Sequence, residues 1–174
     1  MVSRKSSYRY VFILIVALAF FSALPNQAYA ESRNLTDDEI FHRQSYLMLT
    51  TKRYKELDLA YKRYLDLYAR NEITAEELSL KFDTFTKTLS LDPRFDEWVK
   101  AYPKSYSARL ARGIFRITTA WEKRGTKFAS ATTDEQFRGF FDSLKGAQSD
   151  LFLSLKLYER PVESYRHLIR ISKG

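Results

Sequence analysis

Hydrophobic residues recur at three- and four-residue steps along most of the chain after residue 36, which is the spacing of amphipathic helices. One clear stripe consists of Tyr54, Leu57, Tyr61, Tyr64 and Tyr68, and charged side chains fill the opposite face. No segment shows the alternation of period two that is typical of a β-strand. The pattern therefore predicts an all-α fold.

Short polar motifs predict where the helices begin. Three capping boxes, in which a threonine and the side chain three residues later bond free backbone amides, lie at Thr36–Glu39, Thr74–Glu77 and Thr133–Gln136. Asp92 is a predicted N-cap because Pro93 suits the first helical position, and Ser105 is predicted to cap a long helix that ends near Arg124. Gly125 fits the position just after the end of that helix, because glycine tolerates the positive φ that this position often has.

Together these signals predict six or seven helices that form successive helical hairpins. The first helix is expected over about 37–50, and the clearest late stripe extends from Phe137 to Tyr158. Val162, Tyr165 and Ile169 predict a short last helix. We expect the hairpins to stack in a right-handed, tetratricopeptide-like arrangement that is irregular, because no constant repeat length recurs.

The N-terminal residues have the parts of a secretory signal peptide in their usual order. A basic segment precedes an apolar run of 15 residues, Tyr10–Leu24, and the small residues Ala28 and Ala30 follow. Cleavage is therefore expected before Glu31, which leaves a single domain over 31–174 in the periplasm or outside the cell. The alternative is an uncleaved inner-membrane anchor, although the apolar run is shorter than the roughly 20 residues of a membrane-spanning helix.

The composition narrows the classes of function. Hydrophobic residues make up 45% and charged residues 29% of the chain, which fits a globular protein, and the absence of cysteine excludes disulfides and thiolate chemistry. The net charge of +8 falls to +5 once Arg4, Lys5 and Arg9 leave with the signal. This mild excess favours anionic partners or reflects an ordinary solvated surface. Nucleic acid is not expected as the partner of an exported protein.

A tryptophan, a Tyr-Pro-Lys-Ser turn and a helix that ends in Ala-Trp-Glu-Lys-Arg-Gly follow one another over residues 98–125. This stretch resembles the bacterial family known as domain of unknown function 4034. The matching positions are Trp98, Tyr102, Pro103, Ser105, Ala108, Ala120, Trp121, Arg124 and Gly125. The resemblance implies an all-helical domain related to tetratricopeptide-like repeats, with no assigned activity and no catalytic residues.

Two groups of side chains are candidates for binding. The first group is expected to cluster if the turn brings its members together, and it consists of Trp98, Tyr102, Trp121 and Arg124. Tryptophan, tyrosine and arginine are the residue types that dominate the binding energy of protein interfaces. Both tryptophans can equally serve as core residues, with Arg124 compensating the helix dipole.

The second group, Arg109, Arg112 and Arg116, lies on one helical face. This face could bind an anionic ligand, or it could simply be solvated.

No pattern of catalytic residues is evident. His42 and His167 are far apart in sequence and lack neighbours at metal-ligand spacing, so we expect no metal or cofactor and two solvated histidines. The sequence predicts an exported helical scaffold that binds a protein or peptide. The alternatives are a basic adaptor for anionic envelope polymers or a membrane surface and, more remotely, a cell-wall hydrolase with paired carboxylates.

Overall fold

The structure is a computed structural model that describes residues 35–86, 91–126 and 128–172. Within these residues it consists of seven α-helices and two short 3-10 helices, without β-strands. The α-helices are α1 (Asp37–Thr50), α2 (Tyr54–Ala69), α3 (Ala75–Phe82), α4 (Asp92–Ala101), α5 (Tyr106–Arg124), α6 (Asp134–Ser154) and α7 (Val162–Ser172). The 3-10 helices cover Asp83–Thr86 and Ala129–Ala131. The predicted all-α fold is confirmed, and the right-handed stacking stays a prediction.

The predicted helix starts depend on local hydrogen bonds. All three capping boxes form, at the starts of α1, α3 and α6. The hydroxyl of Ser105 accepts a hydrogen bond from the amide of Ala108 and so caps α5, as predicted. The prediction for Asp92 was wrong, because Leu91 is the N-cap and Asp92 is already helical. Gly125 ends α5 with a φ of 75°.

Helices α5 and α6 form an antiparallel hairpin with closely approaching backbones. A Cβ on Gly113 would lie 3.0 Å from Cγ of Leu151, so the missing side chain permits this approach. Farther along the pair, the ammonium of Lys123 donates to the hydroxyl of Ser143 over 2.9 Å. The residue numbers rise on one helix as they fall on the other, which defines the antiparallel orientation.

Aromatic side chains fill the core between the helices. Tyr61 of α2 packs against Phe82, Phe85 and Trp98, and its hydroxyl donates to the carbonyl of Lys81 over 2.9 Å. Burial raises the pKa of the Tyr61 phenol above its ordinary range, so the hydroxyl stays protonated and continues to donate. The first helices are therefore joined by ring packing and one buried polar contact.

Helix α6 is shorter than its stripe predicts, since it ends at Ser154 and not near Tyr158. The hydroxyl of Tyr158 donates to the carbonyl of Leu65 over 2.7 Å, and the guanidinium of Arg160 donates to the carbonyl of Tyr68 over 2.8 Å. The segment before α7 therefore crosses to the last two turns of α2 and donates side-chain hydrogen bonds to its carbonyls. No helix in the described part of the chain has the length and apolar character needed to span a membrane.

Candidate functional site

The three arginines predicted to share one face of α5 do so, and they face a buried carboxylate on α6. Asp150 is 1% exposed. Its oxygens accept hydrogen bonds from Arg109 over 3.1 Å, from Nε of Arg112 over 2.7 Å and from Arg116 over 2.8 Å. One carboxylate therefore holds three guanidinium groups at the interface of α5 and α6.

A second carboxylate completes this cluster from α4. Asp96 accepts hydrogen bonds from Arg112 over 2.7 Å and from Arg116 over 3.2 Å, and its side chain is 53% exposed. Burial lowers the pKa of Arg112, but the hydrogen bonds to Asp150 and Asp96 outweigh that effect and raise it. The arginine side chains are only 14% to 26% exposed. They join three helices, so these largely buried and paired arginines match neither of the two predicted alternatives, an anion-binding face and a solvated face.

The four residues of the predicted aromatic cluster have different neighbours. Trp98 is fully buried between Tyr61 and Phe85, while Tyr102 is the partly buried C-cap of α4. Only Trp121 and Arg124 lie together, with the guanidinium carbon 5.6 Å from the ring centroid.

Trp121 packs edge-on against Phe140 and remains 37% exposed. The structure thus assigns Trp98 to the core and leaves Trp121 at the surface, at one end of the α5–α6 hairpin.

The two histidines were expected at a solvated surface, and for His167 this was wrong. His167 is 5% exposed, and burial lowers the pKa of its imidazole to about 4, with Arg166 and Arg170 acting in the same direction. His42 is partly exposed, and its Nε2 lies 2.6 Å from the carbonyl oxygen of Leu80. No group of His, Cys, Asp or Glu in the described residues could hold a metal ion.

The inner side of helix α7 combines polar and apolar residues, because buried polar side chains lie beside Leu168 and Ile171, which pack against the core. Glu163, Ser164 and His167 are all at most 5% exposed. The Ser164 hydroxyl lies 2.7 Å from Oγ of Ser154 and donates to the hydroxyl of Tyr106 over 3.2 Å. Polar contacts and the packing of Leu168 and Ile171 therefore both hold α7 against the other helices.

Burial also raises the pKa of the Glu163 carboxyl, whose Oε2 lies 3.4 Å from Arg166 and 3.8 Å from His167. Glu163 and His167 lie on the inner side of α7, whereas the side chain of Arg166 is 55% exposed. The two inner groups contact one another and the helices below, so they have the geometry of a packing contact between helices.

The outer face of α7 carries two exposed apolar side chains beside the exposed Arg166 and Arg170. Tyr165 is 55% and Ile169 is 56% exposed, and with Val162 they follow a helical spacing of three and four residues. The sequence predicted the helix from these residues but could not show that they face outward. The only signal for this orientation in the sequence was that the polar residues Ser164 and His167 lie between them. That signal is weak, because polar residues occur on either face of a short helix.

A groove runs along α7 beside this outer face. A cavity of about 830 Å³ lies between α1, the first 3-10 helix and the C-terminal end of α7, and its lining includes Tyr46, Leu47 and Arg170. A second cavity of about 390 Å³ lies between α3 and the N-terminal half of α7, with Leu80 in its lining. The two cavities share Asp83, so they adjoin. We call these two cavities, together with the adjoining depression that Tyr165 and Ile169 line on the outer face of α7, the α7 groove.

The exposed outer face of α7 is continuous with both cavities. The depression on this face, of about 450 Å³, shares Val162 and Arg166 with one cavity and Arg170 with the other. Apolar side chains from the neighbouring helices are also exposed here, with Tyr46 at 46%, Leu47 at 53% and Leu80 at 44%. Exposed apolar residues from three helices therefore surround the groove.

The candidate cleavage residues Ala28, Ala30 and Glu31 lie outside the described residues. Compared with models of known protein families, with curated proteins and with solved structures, the chain has no significant match. The resemblance to the domain of unknown function 4034 family therefore stays a prediction.

Proposed function

We propose that this protein is an exported helical scaffold that binds a segment of another protein in the α7 groove. The observation that carries the proposal is the exposure of Tyr165 and Ile169 on the outer face of α7, beside exposed apolar side chains of α1 and α3. Burying these two side chains against a partner would remove apolar surface from water. Contiguous exposed apolar surface of this kind is typical of protein interaction sites.

The proposal assigns binding and not catalysis to the protein. Clusters of charged groups lie around Asp150, Glu163 and Glu97, and in each cluster the groups contact residues of this same chain. The groove instead combines apolar side chains with a few polar groups at its edge, which is the usual composition of a recognition surface.

Site-specific photocrosslinking in cells tests the proposal. A benzophenone amino acid in place of Tyr165 is expected to give a defined protein adduct, which mass spectrometry would identify. Leu59 on α2 provides the control position, because it is 56% exposed but does not line the groove. The adduct should disappear when Ile169→Ser is added. Equal adducts from both positions, or none from position 165, would contradict binding at the groove.

The export part of the proposal rests on the N-terminal sequence motif and has its own experiment. N-terminal sequencing of the protein recovered from the cell envelope or the medium is expected to begin at Glu31. A chain that retains its first 30 residues in the inner membrane would support the anchored alternative. Full-length protein confined to the cytoplasm would contradict export.

A further inference from the structure

The charged residues around the α7 groove differ between its two ends. Arg43 of α1 and Arg170 of α7 line the larger cavity, and Glu76 of α3 lines the smaller one. Asp83 lies at the junction of the two cavities. All four residues are exposed, and none forms an ion pair with another residue in the described part of the chain.

The other charged groups nearby are already paired or buried. Arg166 contacts Glu163 over 3.4 Å, and Lys81 pairs with Asp38 on α1. The charges that remain available to a ligand are therefore two guanidinium groups at one end of the groove, the carboxylate of Asp83 in the middle and the carboxylate of Glu76 at the other end. A ligand whose charges all have the same sign would be attracted at one end of the groove and repelled at the other.

The length of the groove limits the size of the bound segment. Glu163 and Arg170 line opposite ends and are seven residues apart on one helix, which corresponds to about 10 Å along its axis. Two turns of a helix in the partner cover that distance. The exposed side chains Tyr165 and Ile169 are one helical turn apart, which matches the spacing of apolar residues on a helix laid alongside them.

We infer that the α7 groove binds an amphipathic helical segment of a partner protein that carries acidic residues at one end and basic residues at the other. The acidic end lies at Arg43 and Arg170, and the basic residues extend from Asp83 in the middle to Glu76 at the other end. The apolar stripe of the segment covers Tyr165 and Ile169. This inference rests on the proposed function, since it names the chemistry of the partner for the same groove.

Synthetic peptides test the inference with the protein purified after expression of the full chain. Four 14-residue helical peptides share one apolar stripe and differ in their flanking residues, which are Glu in one half and Lys in the other, all Glu, all Lys, or all Gln. A fifth peptide keeps the composition of the first but scrambles the stripe. Fluorescence anisotropy at low and at moderate salt measures each dissociation constant.

The bipolar peptide is expected to bind about fivefold more tightly than the all-Glu or all-Lys peptide at low salt, and the advantage should shrink as salt rises. Charge-reversed variants of the protein sharpen the comparison. Arg43→Glu combined with Arg170→Glu should make the all-Lys peptide the tightest binder. Glu76→Lys combined with Asp83→Lys should instead favour the all-Glu peptide. All four sites are exposed, and circular dichroism verifies that each variant is folded.

The outcomes separate the two claims. Equal affinity for all four striped peptides, unchanged in the charge-reversed variants, would overturn the inference about charge and leave groove binding intact. Failure of every striped peptide to bind would overturn both claims. Binding that Leu59→Ser weakens as much as Ile169→Ser would also overturn both, because these two side chains have the same exposure and only Ile169 lines the groove region.

Discussion

The Nε atom of Arg112 lies 2.7 Å from Oδ2 of Asp150, and a second guanidinium nitrogen lies 2.6 Å from Oδ1. This two-point contact joins α5 to α6 through a carboxylate that is almost completely buried. Arg109 and Arg116 bind the same carboxylate from one turn before and one turn after. The cluster therefore fixes the register of the α5–α6 hairpin by geometry as well as by charge.

Replacing the buried carboxylate should destabilise the fold strongly. Asp150→Asn keeps the shape of the side chain but removes the negative charge between three guanidinium groups, and we expect a loss of about 3 kcal/mol in the free energy of unfolding. Urea denaturation measures this loss. Asp96→Asn is the matched control, with an expected loss below about 1 kcal/mol because Asp96 is half exposed. Equal losses for the two variants would contradict the buried role of Asp150.

The close contact of α5 with α6 predicts opposite effects of alanine at two glycines. Gly113→Ala should lower the free energy of unfolding by about 1–3 kcal/mol, since the new methyl would lie 3.0 Å from Leu151 in the interface. Gly139→Ala is the control. Its methyl would meet only the flexible side chain of Lys123, at 3.2 Å, and alanine favours the helix by up to about 1 kcal/mol. Thermal denaturation compares them, and a stabilising Gly113→Ala would refute the close approach.

The two tryptophans should give distinct fluorescence signals. Trp121→Phe leaves only the buried Trp98, whose emission should lie at shorter wavelength and resist quenching by acrylamide. Trp98→Phe leaves Trp121, which is 37% exposed and should be quenched more readily. Stern–Volmer quenching of the two variants measures the difference. The same quenching constant in both would place the two rings in similar environments, contrary to the structure.

His167 makes the stability depend on pH in a defined direction. Burial lowers its pKa to about 4 in the folded protein, against an ordinary value near 6.5, so between these values only the unfolded chain binds the proton. As the pH falls from 6.5 to 4, this residue should therefore lower the free energy of unfolding by up to about 3 kcal/mol. Glu163 acts in the opposite sense, because burial raises its pKa and the folded state then retains a proton that the unfolded state releases.

Comparison of the wild-type protein with His167→Gln isolates the contribution of this histidine. The stability difference between the two proteins, measured by urea denaturation at several pH values, should favour the wild type less as the pH falls from 6.5 to 4. His42→Gln provides the control for losing a histidine that is partly exposed. A difference that stays constant across this range would mean that His167 does not titrate as its burial implies.

Local interactions explain why the elements of the fold were predictable. Capping at Thr36, Thr74 and Thr133 involves only atoms within three residues, so the motif and its structure coincide. The exception was Asp92, where the backbone turns one residue earlier than the motif indicates. The late hydrophobic stripe also extended past the end of α6. Tyr158 packs toward α2 from outside the helix, and a periodic pattern does not distinguish a buried residue within a helix from one just beyond its end.

The sequence by itself determined the all-α class, the positions of most helices and the shared face of Arg109, Arg112 and Arg116, since these follow from helical period and local capping. Only the tertiary structure decided that Asp150 pairs with all three arginines of this face, because the carboxylate comes from a helix 38 residues beyond Arg112 in the chain. It also decided that Tyr165 and Ile169 face outward. A hydrophobic stripe in the sequence indicates that a helix has two different faces, but the neighbouring helices determine which of the two is buried.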